Sequence, residues 1–400
     1  MTRIVITADS YLPRLGGQEM GAFRLAKYLR RKGHSVKIVT TEKNAWEGPE
    51  EGGHEVIRLP HRFDLIHRRK LVSRLGSLFR DAEVVHSRYC YRLAALSAPV
   101  ARRMGRRFVV SLHGLGLLDN PGDSFLKRWS HRRYRRLSLT LADAVIATSG
   151  EFARLAAGYA DPSRIHVIPN GVDTDEFDAA RPAPEALRRR YTDDPVVLAV
   201  RRLVPKNGIQ YLAQAAPSIL ARCPRARFVI GGWGSQEAEL RRLVRDLGVE
   251  AHFDFVGAIP NAEVAGYLAA ARVVVFPSSM ESTSHACLEA MAMGRPVVAS
   301  RLGGLQELLG EKERGILVDL FDSRGSSYDA PALLPPAAVE RLASAILDLL
   351  LDPWKAERIG AAGRRHALEN FDWNDLADRI LEVYRGVGGP GPVSASETRR

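Results

Sequence analysis

Short β-branched runs alternate with helix-patterned stretches along the whole 400-residue chain. Ile4–Thr7, Val36–Thr40, Val84–His86, Phe108–Leu112, Ala144–Thr148 and Ile165–Ile168 are nearly continuous apolar runs bounded by polar residues. A second series follows at Val196–Val200, Phe228–Ile230, Phe253–Val256, Val273–Phe276 and Val297–Ala299. Strands this apolar are buried on both faces, as in a parallel sheet. Stretches such as Gly21–Lys32 and Ala286–Met293 carry helical spacing between them. Alternating strands and helices require right-handed crossovers, so the pattern predicts an α/β protein with helices on both faces of parallel sheets.

The alternation pauses at Pro169-Asn170-Gly171-Val172-Asp173 and at the Pro-rich Arg181–Pro184 segment, which is turn and linker chemistry. A boundary near residue 172 gives two Rossmann-like halves facing each other across a cleft. Ligands are then expected at the carboxyl ends of the strands. Trp373–Tyr384 reads as a last helix, and the Gly/Pro/Ser-rich residues 387–400 as a disordered tail.

Composition changes the picture only through charge. Hydrophobic residues at 46% and charged residues at 26% are ordinary for a globular protein. The net charge of +12 is uneven: residues 1–172 hold 30 Lys and Arg against 15 Asp and Glu, and the remainder 28 against 31. A nucleic-acid partner would account for such an excess, but the chain has no helix-turn-helix, zinc or RNA-binding signature, so none is expected. Cys90, Cys223 and Cys287 are odd in number and widely spaced, which argues against a disulfide framework and a zinc knuckle. The opening MTRIVITADSYLP has no signal-peptide core, and no run reaches about 18 apolar residues. A cytoplasmic protein that spans no membrane is the expectation.

The strongest chemical signal is Glu281-Ser-Thr-Ser-His-Ala-Cys-Leu-Glu289, continuing into Ala-Met-Ala-Met-Gly294-Arg-Pro296-Val-Val-Ala-Ser. A strand ends at Phe276-Pro277, a Ser-rich loop follows, and a helix opens near Ser284–His285. Its free N–H groups suit a phosphate. Glu281 and Glu289 can face different parts of one ligand, and carboxylates are what paired sugar hydroxyls require. Alone, Glu281 would read as a charge at a helix N-terminus and Glu289 as a solvated helix residue.

This string resembles the hallmark of the retaining GT-B glycosyltransferases of family 4. Further matches are Gly16-Gly17 after the first strand, Ser111-Leu-His113-Gly114, Ile168-Pro-Asn-Gly-Val-Asp173, Arg202-Leu203 with Lys206 and Gly208, and Gly303-Gly304-x-x-Glu307. Their order covers residues 3–386. The resemblance implies a retaining hexosyltransferase acting on a nucleotide sugar, with a UDP-sugar expected ahead of a GDP-sugar. It also implies an acceptor-side domain of residues 1–172 completed by residues 373–386, and a nucleotide-sugar domain of residues 173–372. His113, Arg202, Lys206 and Glu281 are the expected catalytic residues. Gly16, Gly17, Gly232, Val256, Ser282, Thr283, Ser284, His285, Ala286 and Glu289 would join Arg202, Lys206 and Glu281 in binding the donor.

Each role has a physical sense. Gly16-Gly17 lets backbone approach the diphosphate, and Arg202 with Lys206 would neutralise the leaving group, a task metals perform in other transferases. No cofactor and no metal are expected, and Asp173-Thr-Asp175 reads as turn chemistry. The proton of the acceptor would pass to the leaving phosphate in a front-face substitution. Two departures stand out: Arg201 occupies the usual glycine before Arg-Leu, and Ser284 replaces another. They leave open a catalytically silent sugar-nucleotide-binding subunit. Asp319–Pro336 is longer than the family's usual link.

The basic excess lies on the acceptor half, in Arg58–Arg80, Arg102–Arg107 and Lys127–Arg136, the last interleaved with Trp129, Tyr134 and Leu137 after Phe125 and Leu126. Basic residues with aromatics suit an anionic membrane surface. Peripheral contact at the inner face of a membrane and a lipid-linked or glycan acceptor form one reading. Solvated helix faces and a small-molecule acceptor form the other.

Overall fold

A computed structural model describes residues 1–12, 16–41, 53–60, 65–113, 124–192, 194–281, 283–311, 313–321 and 332–386. The chain divides into two compact units, one of residues 1–171 together with the chain from Trp373 onward, the other Val172–Asp372.

The first unit is built on β1 (Arg3–Ala8), β2 (Ser35–Thr40), β3 (Glu55–Arg58), β4 (Val84–Ser87), β5 (Arg107–Leu112), β6 (Ala144–Ala147) and β7 (Ile165–Val167). These form one parallel sheet in the order β3-β2-β1-β4-β5-β6-β7. Helices α1 (Gly17–Arg31), α2 (Leu65–Phe79), α3 (Arg92–Arg103), α4 (Phe125–Thr140) and α5 (Gly150–Ala156) connect or flank the strands. Alternate residues of a strand feed opposite cores. Val5 and Val85 pack with Leu75, Phe79 and Leu93 on one face, while Ile4, Ile6 and Val84 pack with Leu25 and Leu29 on the other.

The second unit holds α6 (Glu185–Arg190), β8 (Val196–Val200), α7 (Ile209–Arg222), β9 (Arg227–Gly231), α8 (Glu237–Asp246), β10 (Phe253–Gly257), α9 (Asn261–Ala270) and β11 (Val273–Phe276). It continues through α10 (His285–Ala292), β12 (Val297–Ser300), α11 (Gly303–Leu309), β13 (Ile316–Val318), α12 (Pro336–Leu351) and α13 (Pro353–Phe371). Its six parallel strands run β10-β9-β8-β11-β12-β13. Val197 and Ala199 enter one core, Val196 and Leu198 the other.

The last helix, α14 (Trp373–Arg385), belongs to the first unit. Trp373 is 1% exposed and stacks on Tyr28 at 6.4 Å between ring centroids. Tyr384 Oη lies 2.5 Å from His86 Nδ1, whose other ring nitrogen is 2.5 Å from Ser111 Oγ. Burial holds the His86 pKa well below the usual imidazole range.

Two edge strands, β3 and β13, were not expected from the apolar pattern. Helix α1 opens at Gly17, earlier than the hydrophobic spacing indicated. The tail 387–400 and most of the long link, residues 322–331, lie outside the described residues.

Candidate functional site

Each sheet reverses its strand order once, between β1 and β4 in the first unit and between β8 and β11 in the second. Such a reversal leaves a crevice at the carboxyl ends of the two strands, where doubly wound folds bind ligands. Of the expected site residues, Gly16 and Gly17 follow β1, and Arg202, Lys206 and Glu281 follow β8 and β11, while His113 follows β5 and Gly232 and Val256 lie at β9 and β10.

In the second unit, Arg201 and Arg202 follow β8, and Glu281 follows β11. The turn after β8 is fixed by backbone bonds from Arg201 N to Gly231 O (2.8 Å) and from Leu203 N to Trp233 O (2.9 Å). Gly232 sits at φ +137°, and a Cβ there would lie 1.8 Å from the Arg201 carbonyl oxygen. Only glycine can take this place. Gly232, expected to border the nucleotide base, thus has a definite packing role: it lets the β9 loop press against the β8 loop. Val256 is half-buried in β10, next in the sheet.

Lys206 lies in a short 3₁₀ turn, Pro205–Asn207, ended by Gly208 at φ +73°. A Cβ on Gly208 would lie 1.9 Å from the Pro277 carbonyl oxygen, and Ser279 N donates to Lys206 O at 2.9 Å. The lysine loop is thereby fastened to the loop that carries Glu281. Burial lowers the Lys206 pKa, and the charge of Glu281 acts against that fall. Asn207, which sequence reasoning passed over, donates from Nδ2 to Arg202 O at 2.7 Å and closes the turn.

Arg201, the departure from the family pattern, donates from Nη2 to Glu281 Oε2. The side chains are 8% and 14% exposed. The guanidinium also stands 5.3 Å from the Phe276 ring centroid, close enough for a cation–π contact. Arg202 is exposed and Lys206 half-buried beside this pair. Downstream, Ser284 caps α10 by accepting from Cys287 N at 3.4 Å. Thr283 and Ser284 are buried, while His285, Ala286 and Glu289 are half-buried on the first turns of the helix. Ser282 lies outside the described residues.

In the first unit, Gly16 and Gly17 open α1 in extended and then helical backbone, with no side-chain cap. The Glu19 carboxylate folds back against Gly16 and accepts from Ser10 Oγ at 2.5 Å. An acidic group therefore already occupies this helix end. His113 follows β5, is buried, and donates from Nδ1 to Asn170 Oδ1 at 2.9 Å. The amide oxygen can only accept, so the bond places a proton on Nδ1 and orients the ring. Tyr89 stands edge-on to the imidazole at 5.7 Å. Asn170 comes from the Pro-Asn-Gly turn, whose Asp173 carboxylate accepts from Glu176 N at 3.2 Å as turn chemistry requires.

Two more residues at this end escaped the sequence reading. Asp9 accepts from Leu93 N at 3.2 Å, and its pKa is pushed up to about 6 by burial, with Arg92 acting in the opposite direction. Arg88, directly after β4, is buried, and its Nε and Nη2 have no hydrogen-bond partner among the described residues. A lone Arg after a strand carries no distinctive spacing that would have revealed either.

Comparison with known proteins places the chain in a family. Residues 15–176 match the family profile "Glycosyltransferase Family 4", and residues 194–352 match "Glycosyl transferases group 1". The chain is 31% identical over 402 residues to a GDP-mannose-dependent alpha-(1-6)-phosphatidylinositol monomannoside mannosyltransferase of Mycolicibacterium smegmatis, covering 96% of this chain and 98% of that one. It is 34% identical to a D-inositol 3-phosphate glycosyltransferase of Acidothermus cellulolyticus, over 76% of this chain and 67% of the relative. Among solved structures, sucrose-phosphate synthase of Thermosynechococcus elongatus superposes with a TM-score of 0.74 at 26% identity, covering 97% and 99% of the two chains. The expected preference for a uridine donor finds no support in the relatives' names.

Proposed function

The chain is a glycosyltransferase of family 4 with the GT-B fold of two Rossmann-like domains, and on that premise we propose that it transfers mannose from GDP-mannose to an inositol-phosphate-bearing acceptor at a membrane surface. The observation that carries the chemistry is the fastening of Lys206 and Arg202 beside Glu281 at the β8/β11 reversal. Cations held there neutralise a leaving nucleoside diphosphate as the glycosidic bond breaks. They supply the charge a metal would otherwise bring. The carboxylate of Glu281 accepts from sugar hydroxyls, and the leaving phosphate takes the acceptor proton on the same face, so the anomeric configuration is retained.

The donor and acceptor rest on the relatives. One is named for GDP-mannose and phosphatidylinositol monomannoside, the other for inositol 3-phosphate. The choice of a lipid-borne acceptor is supported by α4. Phe125, Leu126 and Trp129 are 73%, 76% and 56% exposed on a helix that also carries Lys127, Arg128, Arg132, Arg133 and Arg136. An apolar edge with cations around it suits the headgroup boundary of an anionic bilayer. No helix among the described residues is long and apolar enough to cross a membrane.

The test is incubation with radiolabelled GDP-mannose and vesicles of phosphatidylglycerol containing phosphatidylinositol, with soluble inositol phosphate in a parallel reaction. Label entering the lipid phase is expected. Label only in the soluble acceptor would replace the membrane reading with a small-molecule one. No transfer from GDP-mannose to either acceptor would overturn the proposal.

A further inference from the structure

Glycine is the residue expected before Arg-Leu in this family, and Arg201 stands there instead. Its side chain reaches a carboxylate 80 residues away. The two ends of the pair lie in the loops that follow β8 and β11, the adjacent strands between which the sheet reverses. The ion pair therefore spans the crevice that the fold makes for ligand.

The guanidinium is held from several sides. Its backbone is clamped by Gly231 and Gly232, Nη2 meets Glu281 and lies 3.4 Å from Asn207 Oδ1, and its plane lies near the Phe276 ring. Nη1 is buried with no hydrogen-bond partner among the described residues. A pair built for stability alone would satisfy that donor, and buried ion pairs contribute little net stability even when satisfied. The consequence for Glu281 is specific: Oε2 is taken by Arg201, so Oε1 is the oxygen left for a hydroxyl. Among the described residues the ion pair of the carboxylate is with Arg201, while Lys206 feels the Glu281 charge without an ion pair to it.

We propose that Arg201 is a positioning residue for donor-sugar recognition, orienting Glu281 so that this carboxylate reads the hexose with one oxygen. The inference rests on the proposed donor-binding role of Glu281. It predicts a contribution to the sugar and none to the nucleotide.

Calorimetric titration with GDP-mannose and with GDP tests it, using the wild type, Arg201→Met, Arg201→Lys, Glu281→Gln and the Arg201→Met/Glu281→Gln double variant. Arg201→Met is expected to weaken GDP-mannose binding about tenfold, the scale of one charge-assisted hydrogen bond, with GDP unchanged. Arg201→Lys should recover most of the loss, and the double variant should be no weaker than Glu281→Gln. GDP-mannose binding in Arg201→Met as tight as wild type, or tighter, overturns the proposal, as does equal weakening of GDP and GDP-mannose. A wild type that binds neither GDP-mannose nor UDP-glucose more tightly than the bare nucleotides removes the donor-site reading and this inference with it. Wild-type binding with an unaffected Arg201→Met removes the inference alone.

Discussion

In the N-terminal domain the chain leaving β1 and β4 carries Asp9, Glu19 and buried Arg88, with the His113–Asn170 pair at the ends of β5 and β7, whereas the β8/β11 reversal of the C-terminal domain gathers Arg201, Arg202 and Lys206 around one carboxylate. The charge of each whole domain runs the other way. Residues 1–172 carry twice as many basic as acidic residues, and the remainder a slight acidic excess. The basic surplus of the first half lies on surfaces such as α4, while the second half concentrates its few decisive cations at strand ends. Bulk charge in this protein describes what a domain's surface meets; the strand ends describe what its crevice binds.

That contrast breaks most directly at Lys206. Replacement by Ala should lower turnover with GDP-mannose on the order of 10²-fold, the usual cost of one preorganised contact to developing charge. Steady-state kinetics decides it: unchanged kcat would mean that the cationic reversal is not where the leaving group sits.

The acidic end is probed through stability. A carboxyl whose folded pKa is raised from 3.8 to about 6 holds its proton more tightly in the native state. Its favourable contribution is complete below the unfolded value and is lost as pH rises through about 6. The ceiling is about 3 kcal/mol, and residual solvent contact at Asp9 reduces it to about 1–2 kcal/mol. Asp9→Asn should therefore be near neutral at pH 4 and stabilising at pH 7.5. Urea denaturation at the two pH values measures this, and an equal effect at both would refute the assigned titration.

The smallest effect is expected at Asn170. Its removal leaves His113 in place without the bond that orients it, so a loss of about three- to tenfold in kcat is expected, with little change in donor KM. A drop in thermal stability with kcat preserved would make Asn170 purely structural.

The strands readable in the sequence were those buried on both faces, such as Val196–Val200 and Val273–Phe276. Strand β3 escaped because it is partly exposed and mixes Glu55 and Arg58 with its apolar residues; β13 escaped because its apolar run is cut to Ile316–Val318 between Gly315 and Asp319, one residue shorter than the Ile165–Ile168 run that gave β7. At the expected site, candidate residues could be named from the sequence, but the contacts among them could not. Arg201 meets Glu281 only because the chain leaves β8, forms β9 and β10 on one side, and returns beside β8 as β11. The His113–Asn170 bond likewise joins the ends of strands separated by β6. Gly232 was expected beside the nucleotide base; its close approach to the Arg201 carbonyl is a packing role that sequence alone does not show.

Helix α14 gives this architecture an order in time. The N-terminal domain is the first to leave the ribosome, yet Trp373 and Tyr384, which close over Tyr28 and His86, are made only after all of Val172–Asp372. At translation rates of about 5–20 residues per second, that wait is about 10–40 seconds. Throughout it, the apolar face formed by Ile4, Ile6, Leu25 and Leu29 lacks part of its cover. The domain begun first is completed last, so a chain cut short anywhere before residue 373 presents the cell with an exposed core rather than a finished half.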